Sequence, residues 1–452
     1  MKIVIAGAGI IGANLAKSLT EENHEVYLIE RNEETAQKVH EKLDVKVVVG
    51  NSADPNVLKK VFVSEADLVI AVTTSDETNL VVCSLAAKFG AKRRIARVRN
   101  AALSKTLVEA GLNRFDINEI INPEEVAAQA IVKTIETPGA CEVADFAQGK
   151  ILLRAFDVPH ESHLCKLAIE ELRQEDFPWP FLIIAVNRKG EVFIPKGKDT
   201  LLGDDRIYVL LPAASLGEFL MFMDPNIRRS KKVVIYGGSE TGERVAAALH
   251  PHVPDIILLE EKQELAEELA GRLEDVRVIN GSGSESDILK ECGIEVADAF
   301  VAVSDSDHTN LVSAVLAKKM GAKETIITNQ QPDFLTIMNA LDIDAIINPR
   351  LLAVEQILRL VRGRGILSVR KFIESEFEVL EFIAEQGAAI TKAELKKISF
   401  PKNTIVGAVC DGDEGVLATG DTRIKQGQRA IVFCREIDVK KLQALFTRKK
   451  II

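Results

Sequence analysis

The sequence predicts an α/β protein with two tandem, doubly wound parallel sheets, each followed by a small α+β domain. Three observations support this fold class. Short apolar runs alternate with helical periods along roughly the first 135 residues, a glycine-rich turn joins the first strand to the first helix, and the same layout returns about 230 residues later. Alternating strands and helices are typical of a parallel sheet covered by helices on both faces.

Five strands and five helices are predicted in the first half. The run LVIAV at Leu68–Val72 is apolar throughout, which suits a strand that is buried on both faces. The predicted strands are Ile3–Ala6, Glu25–Ile29, Val45–Val49, Leu68–Val72 and Arg94–Val98. The predicted helices begin near Ile10, Glu33, Pro55, Asp76 and Ala101. Ser75 or Asp76 is expected to cap the fourth helix.

The first strand is followed by the run Gly7-Ala8-Gly9-Ile10-Ile11-Gly12, which has the spacing G-x-G-x-x-G. In a strand–turn–helix context the first glycine permits a sharp turn, the second lets a pyrophosphate approach the backbone, and the third lets the helix lie close to the strand. The free N–H groups of the helix N-terminus favour an anion there. The sequence therefore predicts a Rossmann-type dinucleotide site, with a tight turn that binds nothing as the alternative.

Glu30 closes the second predicted strand, 18 residues after Gly12. A carboxylate at this position can accept both ribose hydroxyls of an adenosine, and it repels a 2′-phosphate, which favours NAD over NADP. Arg31 beside it weakens the second point. The alternative is a solvated charge at the end of a strand.

Further residues at predicted strand ends are candidates for the wall of this site, because ligands of open parallel sheets lie beyond the carboxyl ends of the strands. Asn51 is expected to contact adenine or ribose, with a locally bonded turn as the alternative. Thr73 and Thr74 follow the fourth strand, and Thr73 is expected to face the ligand. Arg97 is expected to pair with phosphates, with a surface ion pair as the alternative, and strand alternation does not separate it from Arg99.

A duplication is the strongest feature of the sequence. Residues 66–94 and 297–325 are identical at 16 of 29 positions with a fixed offset of 231. Unrelated segments are not expected to match to this extent. The stretch INPRLLAVEQILRLV from Ile347 likewise matches INPEEVAAQAIVKTI from Ile121. The second half is therefore predicted to repeat the first.

The repeat places a second candidate site at Gly237-Gly238-Ser239-Glu240-Thr241, Glu260 and Ser304. Ser239 stands where Gly9 stands in the first half, which puts a Cβ in the path of the pyrophosphate. Glu240 adds a negative charge, although the Ser239 hydroxyl and Arg244 could compensate, and Thr328 replaces the candidate phosphate-binding arginine. We expect this site to be weaker, altered or only structural.

Four domains are predicted from the repeat and from the smaller helix-and-strand segment that follows each half. A charged segment that begins at Asp224 (DPNIRRSKK) is predicted to link the two halves. The predicted domains are residues 1–138, 139–226, 231–363 and 364–452.

The composition argues against several classes of protein. A net charge of −10 and a pI near 5.5 oppose nucleic-acid binding and unaided adhesion to anionic lipid. The six cysteines lie far apart with no C-x-x-C, so neither a metal site nor a disulfide framework is predicted. No stretch approaches 18 apolar residues and the N-terminus enters a strand at once, so we expect no membrane span and no signal peptide.

No catalytic residues are predicted, because no motif for a nucleophile, a zinc protease or a Walker lysine is present and no histidine or tyrosine has an evident partner. A nucleotide site without chemistry favours a sensor over an enzyme. Two alternatives stay open: an NAD-dependent oxidoreductase with unrecognised catalytic residues, and a scaffold whose glycine turns are vestigial.

With GAGIIG at the first turn, Glu30, the run TTSDETN from Thr73 and a small β-rich domain after each half, the chain resembles the TrkA family of Trk potassium uptake regulatory subunits. That family has two tandem RCK (KTN) domains, each with a Rossmann N-terminal part and an RCK C-terminal domain. The N–C–N–C order with SDETN is more specific than the glycine turn. The resemblance covers essentially the whole chain.

The resemblance implies a cytoplasmic protein that lies peripherally on the inner face of the cell membrane. It implies binding of NAD(H), or in some members ATP or ADP, through the two sets of residues named above. It further implies a homo-oligomer, a dimer or a tetramer ring, that gates an integral-membrane potassium channel subunit of the TrkH type.

Overall fold

The computed structural model describes residues 1–162, 164–172, 179–225, 227–330, 341–363, 365–372, 375–412 and 414–448. The chain divides into two compact units. The first consists of Met1–Val126 and Pro349–Gly363, and the second of Ala127–Asn348 and Arg364–Ile452. None of the helices in the described ranges has the length and apolar composition needed to cross a bilayer.

The first unit is built around a six-stranded parallel sheet with the strand order β3-β2-β1-β4-β5-β6. Its strands are β1 (Lys2–Ala6), β2 (Glu25–Glu30), β3 (Lys46–Val49), β4 (Leu68–Ala71), β5 (Arg93–Arg97) and β6 (Glu119–Ile121). Its helices are α1 (Ile10–Glu21), α2 (Glu33–Lys42), α3 (Pro55–Lys60), α4 (Asp76–Phe89) and α5 (Ala101–Ala110), and α6 (Pro123–Ile135) follows. This order is doubly wound, and it reverses between β1 and β4.

The five predicted helix starts of the first half are confirmed. Four of these helices begin after a residue whose side chain accepts a hydrogen bond from the first turn, namely Asn32, Asp54, Ser75 and Asn100. Because such caps are local, the sequence alone fixes them. The short strand β6 was not predicted.

A second parallel sheet repeats this topology in the second unit, with the order β14-β13-β12-β15-β16-β17. Its strands are β12 (Lys232–Tyr236), β13 (Asp255–Glu260), β14 (Arg277–Asn280), β15 (Ala299–Ala302), β16 (Glu324–Thr328) and β17 (Ala345–Ile347). Its helices are α8 (Glu240–Leu249), α9 (Gln263–Arg272), α10 (Ser286–Glu291) and α11 (Asp307–Lys319). The duplication predicted from the sequence is therefore confirmed in the fold.

Each parallel sheet is followed by a smaller domain, as predicted, and in both cases this domain contains a five-stranded antiparallel sheet. The first has the order β10-β9-β11-β8-β7, and the second has the order β18-β19-β22-β20-β21. The first comprises β7 (Ala140–Phe146), β8 (Ile151–Asp157), β9 (Leu182–Arg188), β10 (Glu191–Phe193) and β11 (Arg206–Pro212), with α7 (Leu216–Met223). The second comprises β18 (Ile366–Lys371), β19 (Phe377–Ile383), β20 (Ile405–Asp411), β21 (Glu414–Leu417) and β22 (Arg429–Arg435). A last helix, α13 (Val439–Phe446), packs on the second.

The two antiparallel sheets share one hydrophobic core inside the second unit. Tyr208 of β11 lies edge-on to Phe372 with the ring centroids 4.3 Å apart, and Phe372 in turn contacts Phe433 of β22. A Cβ at Gly407 would lie 2.9 Å from the Leu210 side chain, so a glycine there permits the close approach of the sheets. The small domains therefore pack face to face.

Helix α12 (Pro349–Arg362) comes from the second half of the sequence and belongs to the first unit. Its apolar face enters the same core cluster as α1 and the inner strands. Its last residue, Arg362, donates from Nε to Oε1 of the buried Glu22, the C-cap of α1, at 2.8 Å. The first unit is therefore completed by a helix more than 200 residues away in sequence.

The four predicted domain boundaries stay a prediction. Three of the positions on which they depend, residues 226, 364 and 452, lie outside the described residues. Residues 349–362, which we placed with the second parallel sheet, are found in the first compact unit.

Replacing Arg362 with Met is expected to destabilise the first unit by about 3–5 kcal/mol, because it leaves the Glu22 carboxylate buried without its counter-charge. Burial acts to raise the pKa of Glu22, but the hydrogen bond with His24 and the charge of Arg362 outweigh it and hold that pKa below its usual value. The pair therefore stabilises the fold above about pH 4.3, the pKa of a glutamate in the unfolded chain. This stabilisation is lost as the pH falls through the lower pKa of Glu22 in the folded chain.

The measurement is urea unfolding at pH 7 and pH 4.5. In the variant, which lacks the charge of Arg362, burial favours the neutral form of Glu22, so the carboxyl takes up a proton at pH 4.5 and the loss is expected to be smaller there. Glu22→Gln combined with Arg362→Met should recover most of the loss. Arg359→Met, on the exposed face of α12, is the matched control, with a change within about 0.5 kcal/mol. If Arg362→Met and Arg359→Met destabilise the protein equally, the stabilising role of the Glu22–Arg362 pair is contradicted.

Candidate nucleotide site

The glycine turn of the first half lies at the carboxyl end of β1, where the strand order reverses. Gly7 has φ +105°, in the left-handed region that favours glycine, and its N–H donates to the Ile29 carbonyl at 2.8 Å. A Cβ on Gly12 would lie 1.8 Å from the Gly7 carbonyl oxygen. The turn and the close approach of α1 to β1 therefore require these two glycines.

Gly9 is different, because neither its backbone nor its packing requires a glycine. Its φ of −64° suits any residue, it is exposed, and a Cβ built on it would meet nothing within 4 Å. It is the N-cap residue of α1 and offers no side-chain cap. The missing side chain leaves the N-terminus of α1 open to an anion from solution.

Glu30 joins the end of β2 to the glycine turn. Its Oε2 accepts from the Ala8 N–H at 2.8 Å, and its Oε1 accepts from the Asn32 N–H at 3.0 Å. Glu260 does the same in the second half, accepting from Gly238 at 2.7 Å and Lys262 at 2.8 Å. Both glutamates hold their turn, and because a carboxylate oxygen accepts more than one hydrogen bond, a ribose contact of Glu30 stays a proposal.

The ends of β4 and β5 are joined by the fully buried Asn79. Its Oδ1 accepts from the Thr73 N–H at 2.9 Å and from the Thr73 hydroxyl at 2.7 Å, and its Nδ2 donates to the Arg97 carbonyl at 2.9 Å. In the second half, Asn310 contacts Ser304 and Thr328 in the same way. We expected the Thr73 hydroxyl to face the ligand, but it donates its hydrogen bond to Asn79 within the protein.

Two other positions in the predicted wall lie at the surface. Thr74 and Asn51 are both exposed. The Asn51 Oδ1 accepts from the Ala53 N–H at 3.0 Å, which is the local turn bond of the alternative interpretation. Ser75 caps α4 by accepting from the Thr78 N–H, as expected.

Arg97 and Arg99, which strand alternation could not separate, have different surroundings. Strand β5 ends at Arg97, whose Nη1 donates to the Thr73 carbonyl at 3.2 Å. Its Nε is buried with no hydrogen-bond partner. Arg99 instead pairs with Glu124 at 2.7 Å. Of the two, Arg99 is therefore held by a carboxylate and Arg97 by the Thr73 carbonyl.

Burial is the main cause that lowers the pKa of Arg97. The positive charges of Arg99 and Arg350 lower it further, while Glu124 and Asp76 oppose them. An anion placed at the carboxyl end of β5 would relieve this repulsion.

The second half keeps the turn but not the open helix end. Gly237 has φ +109°, and a Cβ on Gly242 would lie 2.0 Å from the Gly237 carbonyl oxygen. Ser239 caps α8: its hydroxyl donates to the Val303 carbonyl at 2.7 Å and accepts from the Gly242 N–H at 3.3 Å. The Ser239 hydroxyl, one of the two groups that could compensate for the missing glycine, therefore already donates within the protein.

The charges of the second turn are also paired within the protein. Arg244, which we expected to offset the local negative charge, donates from Nη2 to Oε1 of Glu240 at 3.0 Å. Thr241, on the first turn of α8, is buried. Arg244 therefore neutralises Glu240, and the pair leaves no net positive charge for a phosphate.

Tyr236 fills the carboxyl edge of the second sheet, and sequence reasoning missed it. Its hydroxyl donates to Oε1 of Glu261 at 2.6 Å, and the Ser282 hydroxyl donates to the same oxygen. A Cβ on Gly283 would lie 2.5 Å from the ring, so the loop after β14 packs directly on it. The repeat counterpart is Ala6, and this difference at the end of the first strand was the available signal.

The comparison with known families matches both halves. The TrkA-N domain family matches residues 3–123 and 233–349, and the TrkA-C domain family matches residues 153–224. These ranges contain both glycine turns and most of the first antiparallel sheet, without β7 and the first two residues of β8.

Curated relatives are similar over nearly the full chain. A TrkA homolog from Archaeoglobus fulgidus is 32% identical, covering 99% of this chain and 100% of that protein. TrkA homolog 1 from Methanosarcina mazei is 31% identical, covering 96% and 97%. TrkA from Vibrio alginolyticus is 29% identical, covering 99% and 98%. All three are described as Trk system potassium uptake proteins.

Solved structures share the fold. The crystal structure of the GsuK RCK domain has a TM-score of 0.60 at 18% identity and covers 99% of this chain and 95% of that chain. The GsuK channel bound to NAD has a TM-score of 0.60 at 18% identity and covers 98% and 78%. From the domain matches and the full-length relatives, the chain belongs to the TrkA family of Trk system potassium uptake proteins.

Proposed function

We propose that this chain is a regulatory subunit that binds a nucleotide in its first half and thereby gates an integral-membrane potassium channel subunit of the TrkH type. The observation that carries the proposal is Gly9, a glycine that the fold does not need, at an open helix N-terminus where the strand order reverses. The curated relatives of this chain are described as potassium uptake proteins.

The proposed ligand is NAD(H), with ATP or ADP as further ligands of the same crevice. Its diphosphate would lie on the N-terminus of α1, in the run Gly7 to Gly12, with Arg97 on the phosphates. Glu30 and Asn51 would contact the adenosine, and Thr73 and Thr74 would line the wall through their backbone. The GsuK channel that carries NAD shares this fold, which is consistent with the proposal.

We propose that the second half has lost this role. Ser239 occupies the N-terminus of α8, Glu240 is paired with Arg244, and Tyr236 fills the neighbouring strand end. The remaining predicted positions, from Gly237 and Gly238 to Glu260 and Ser304, would then only stabilise the turn. One nucleotide per chain is the expected stoichiometry.

The signal would reach the rest of the protein through helix packing. The nucleotide would contact the N-terminus of α1, and α1 packs along α12, which connects to the second antiparallel sheet. A ligand shifts a conformational equilibrium only by its differential affinity for the two states. We propose that the chain works as a cytoplasmic homo-oligomer, a dimer or a tetramer ring, on the inner face of the membrane.

Calorimetric titration of the full chain with NAD, NADH, ATP and ADP tests binding. We expect saturable binding of at least one of them with close to one site per chain. Potassium flux into liposomes that carry the membrane subunit then tests gating, and the flux should change when the nucleotide is added. Absence of binding to all four would refute the proposal, and consumption of NADH with a carbonyl substrate would favour an oxidoreductase instead.

Gly9→Ala is expected to weaken nucleotide binding at least tenfold, because the new methyl group meets the phosphate and not the protein. Its effect on the thermal midpoint of the free chain should be within a few degrees, since neither backbone nor packing needs the glycine. Ser239→Ala, at the matching position of the second half, is the control and should leave affinity and stoichiometry unchanged. If both variants bind like the parent chain, the phosphate does not lie on α1.

A further inference from the structure

The second small domain contains a cavity of about 470 Å³ beside its last helix, α13. Three segments line it: the loop before β20, the end of β22 and one face of α13. These segments supply Phe400, Lys402, Arg435, Asp438, Lys441 and Leu445. Three basic side chains, one carboxylate and two apolar side chains therefore surround one space, which is the α13 cavity below.

The α13 cavity carries a surplus of positive charge. The buried Asp438 accepts from Lys441 Nζ at 2.9 Å and from Arg435 Nη2 at 3.2 Å. Burial acts to raise the pKa of Asp438, but the hydrogen bonds and charges of Lys441 and Arg435 outweigh it and hold that pKa below its usual value. Asp438 is therefore ionised at neutral pH and neutralises one of the three basic side chains, since Lys402 also lines the cavity.

Arg435 has donors that the protein does not use. Its Nη2 is bonded to Asp438, whereas its Nε is buried and has no hydrogen-bond partner. A buried donor without an acceptor costs free energy, and an acceptor placed in the cavity would recover it. The unused donor and the surplus charge therefore both favour an anion.

The first small domain has the same topology but different side chains at this place. Residues from β9 to α7 correspond to residues from β20 to α13 at a fixed offset of 223. Lys402 corresponds to Trp179, which follows the same Phe-Pro dipeptide, and Leu445 corresponds to Phe222. The rings of Trp179 and Phe222 have their centroids 6.4 Å apart, so aromatic side chains pack together there.

The other two basic positions also differ between the repeats. Arg435 corresponds to Pro212, and Lys441 corresponds to Glu218. The same five-stranded architecture therefore forms in the first small domain without any of the three basic side chains, and the fold does not account for them in the second.

We propose that the α13 cavity binds a phosphate monoester through Lys402, Arg435 and Lys441. Such a group carries a charge of about −1.5 to −2 at pH 7 and three acceptor oxygens, which matches the surplus of two positive charges. Guanidinium and ammonium groups donate charge-assisted hydrogen bonds to these oxygens. Phe400 and Leu445 would contact the organic part of the ester, and the cavity lies within the range of about 300–1,000 Å³ typical of small-molecule sites.

This inference goes beyond the proposed function, because the α13 cavity belongs to the second compact unit and the nucleotide crevice to the first. Calorimetric titration of the full chain with phenyl phosphate, at about 0.1 M salt to limit screening, measures binding. Lys402→Gln and Lys441→Gln are each expected to weaken it about tenfold, since each removes one charge-assisted hydrogen bond.

Lys440→Gln is the matched control. It removes the same charge from the neighbouring residue of α13, which is exposed and is not part of the cavity lining. Its affinity should change by less than about twofold. Thermal midpoints of the free variants report folding, and if Lys441→Gln does not fold, Lys402→Gln on the exposed loop decides. Equal affinities of the cavity variants and the control overturn the inference.

Gly9→Ala separates this site from the nucleotide crevice. The substitution changes the N-terminus of α1 and should leave the affinity for phenyl phosphate unchanged. If it abolishes the binding, phenyl phosphate occupies the glycine turn, and the inference is overturned while the proposed function stands. Failure of the chain to bind nucleotides refutes the proposed function and leaves the α13 cavity untouched.

A phosphate monoester is carried both by soluble metabolites and by the headgroup of phosphatidic acid. Cosedimentation with phosphatidylcholine vesicles, with and without phosphatidic acid, distinguishes the two sources. Cosedimentation that requires phosphatidic acid and is lost in Lys441→Gln supports a lipid headgroup, and binding of phenyl phosphate without cosedimentation supports a soluble ester. If neither is bound, the inference is wrong.

Discussion

The close contact between Gly12 and the carbonyl of Gly7 determines the geometry on which the site depends. A methyl group added at Gly12 would overlap that oxygen, so the contact exists only because Gly12 has no side chain. It places the N-terminus of α1 at the carboxyl end of β1, where the strand order reverses. The open helix end at Gly9 and the Glu30 carboxylate on the Ala8 N–H are consequences of that placement.

The duplicated halves show how one backbone supports two different chemical surfaces. The turn, the glutamate at the end of the second strand and the buried asparagine lock are present in both. At the carboxyl end of the first strand the halves differ in their side chains, with Ser239 in place of Gly9 and Tyr236 in place of Ala6. We therefore propose that one site senses the nucleotide while the other only maintains the fold.

The exchange of α12 joins the two halves of the sequence into one compact unit. The buried pair of Glu22 and Arg362 holds the C-terminal end of this helix, and the apolar face of the helix packs in the same core as α1. Desolvation makes such a pair costly to break, although it contributes modestly when intact.

The sequence alone determined the features that depend on neighbouring residues. The helix starts follow from local caps such as Asn32 and Ser75, the buried strands from continuous apolar runs, and the duplication from direct identity. The fold class followed from their alternation. Only the tertiary structure decided that Arg97 bonds the Thr73 carbonyl while Arg99 pairs with Glu124, that Tyr236 packs under the loop after β14, and that α12 packs in the first unit. These outcomes depend on contacts between residues that are distant in sequence, which no local pattern of caps or apolar spacing specifies.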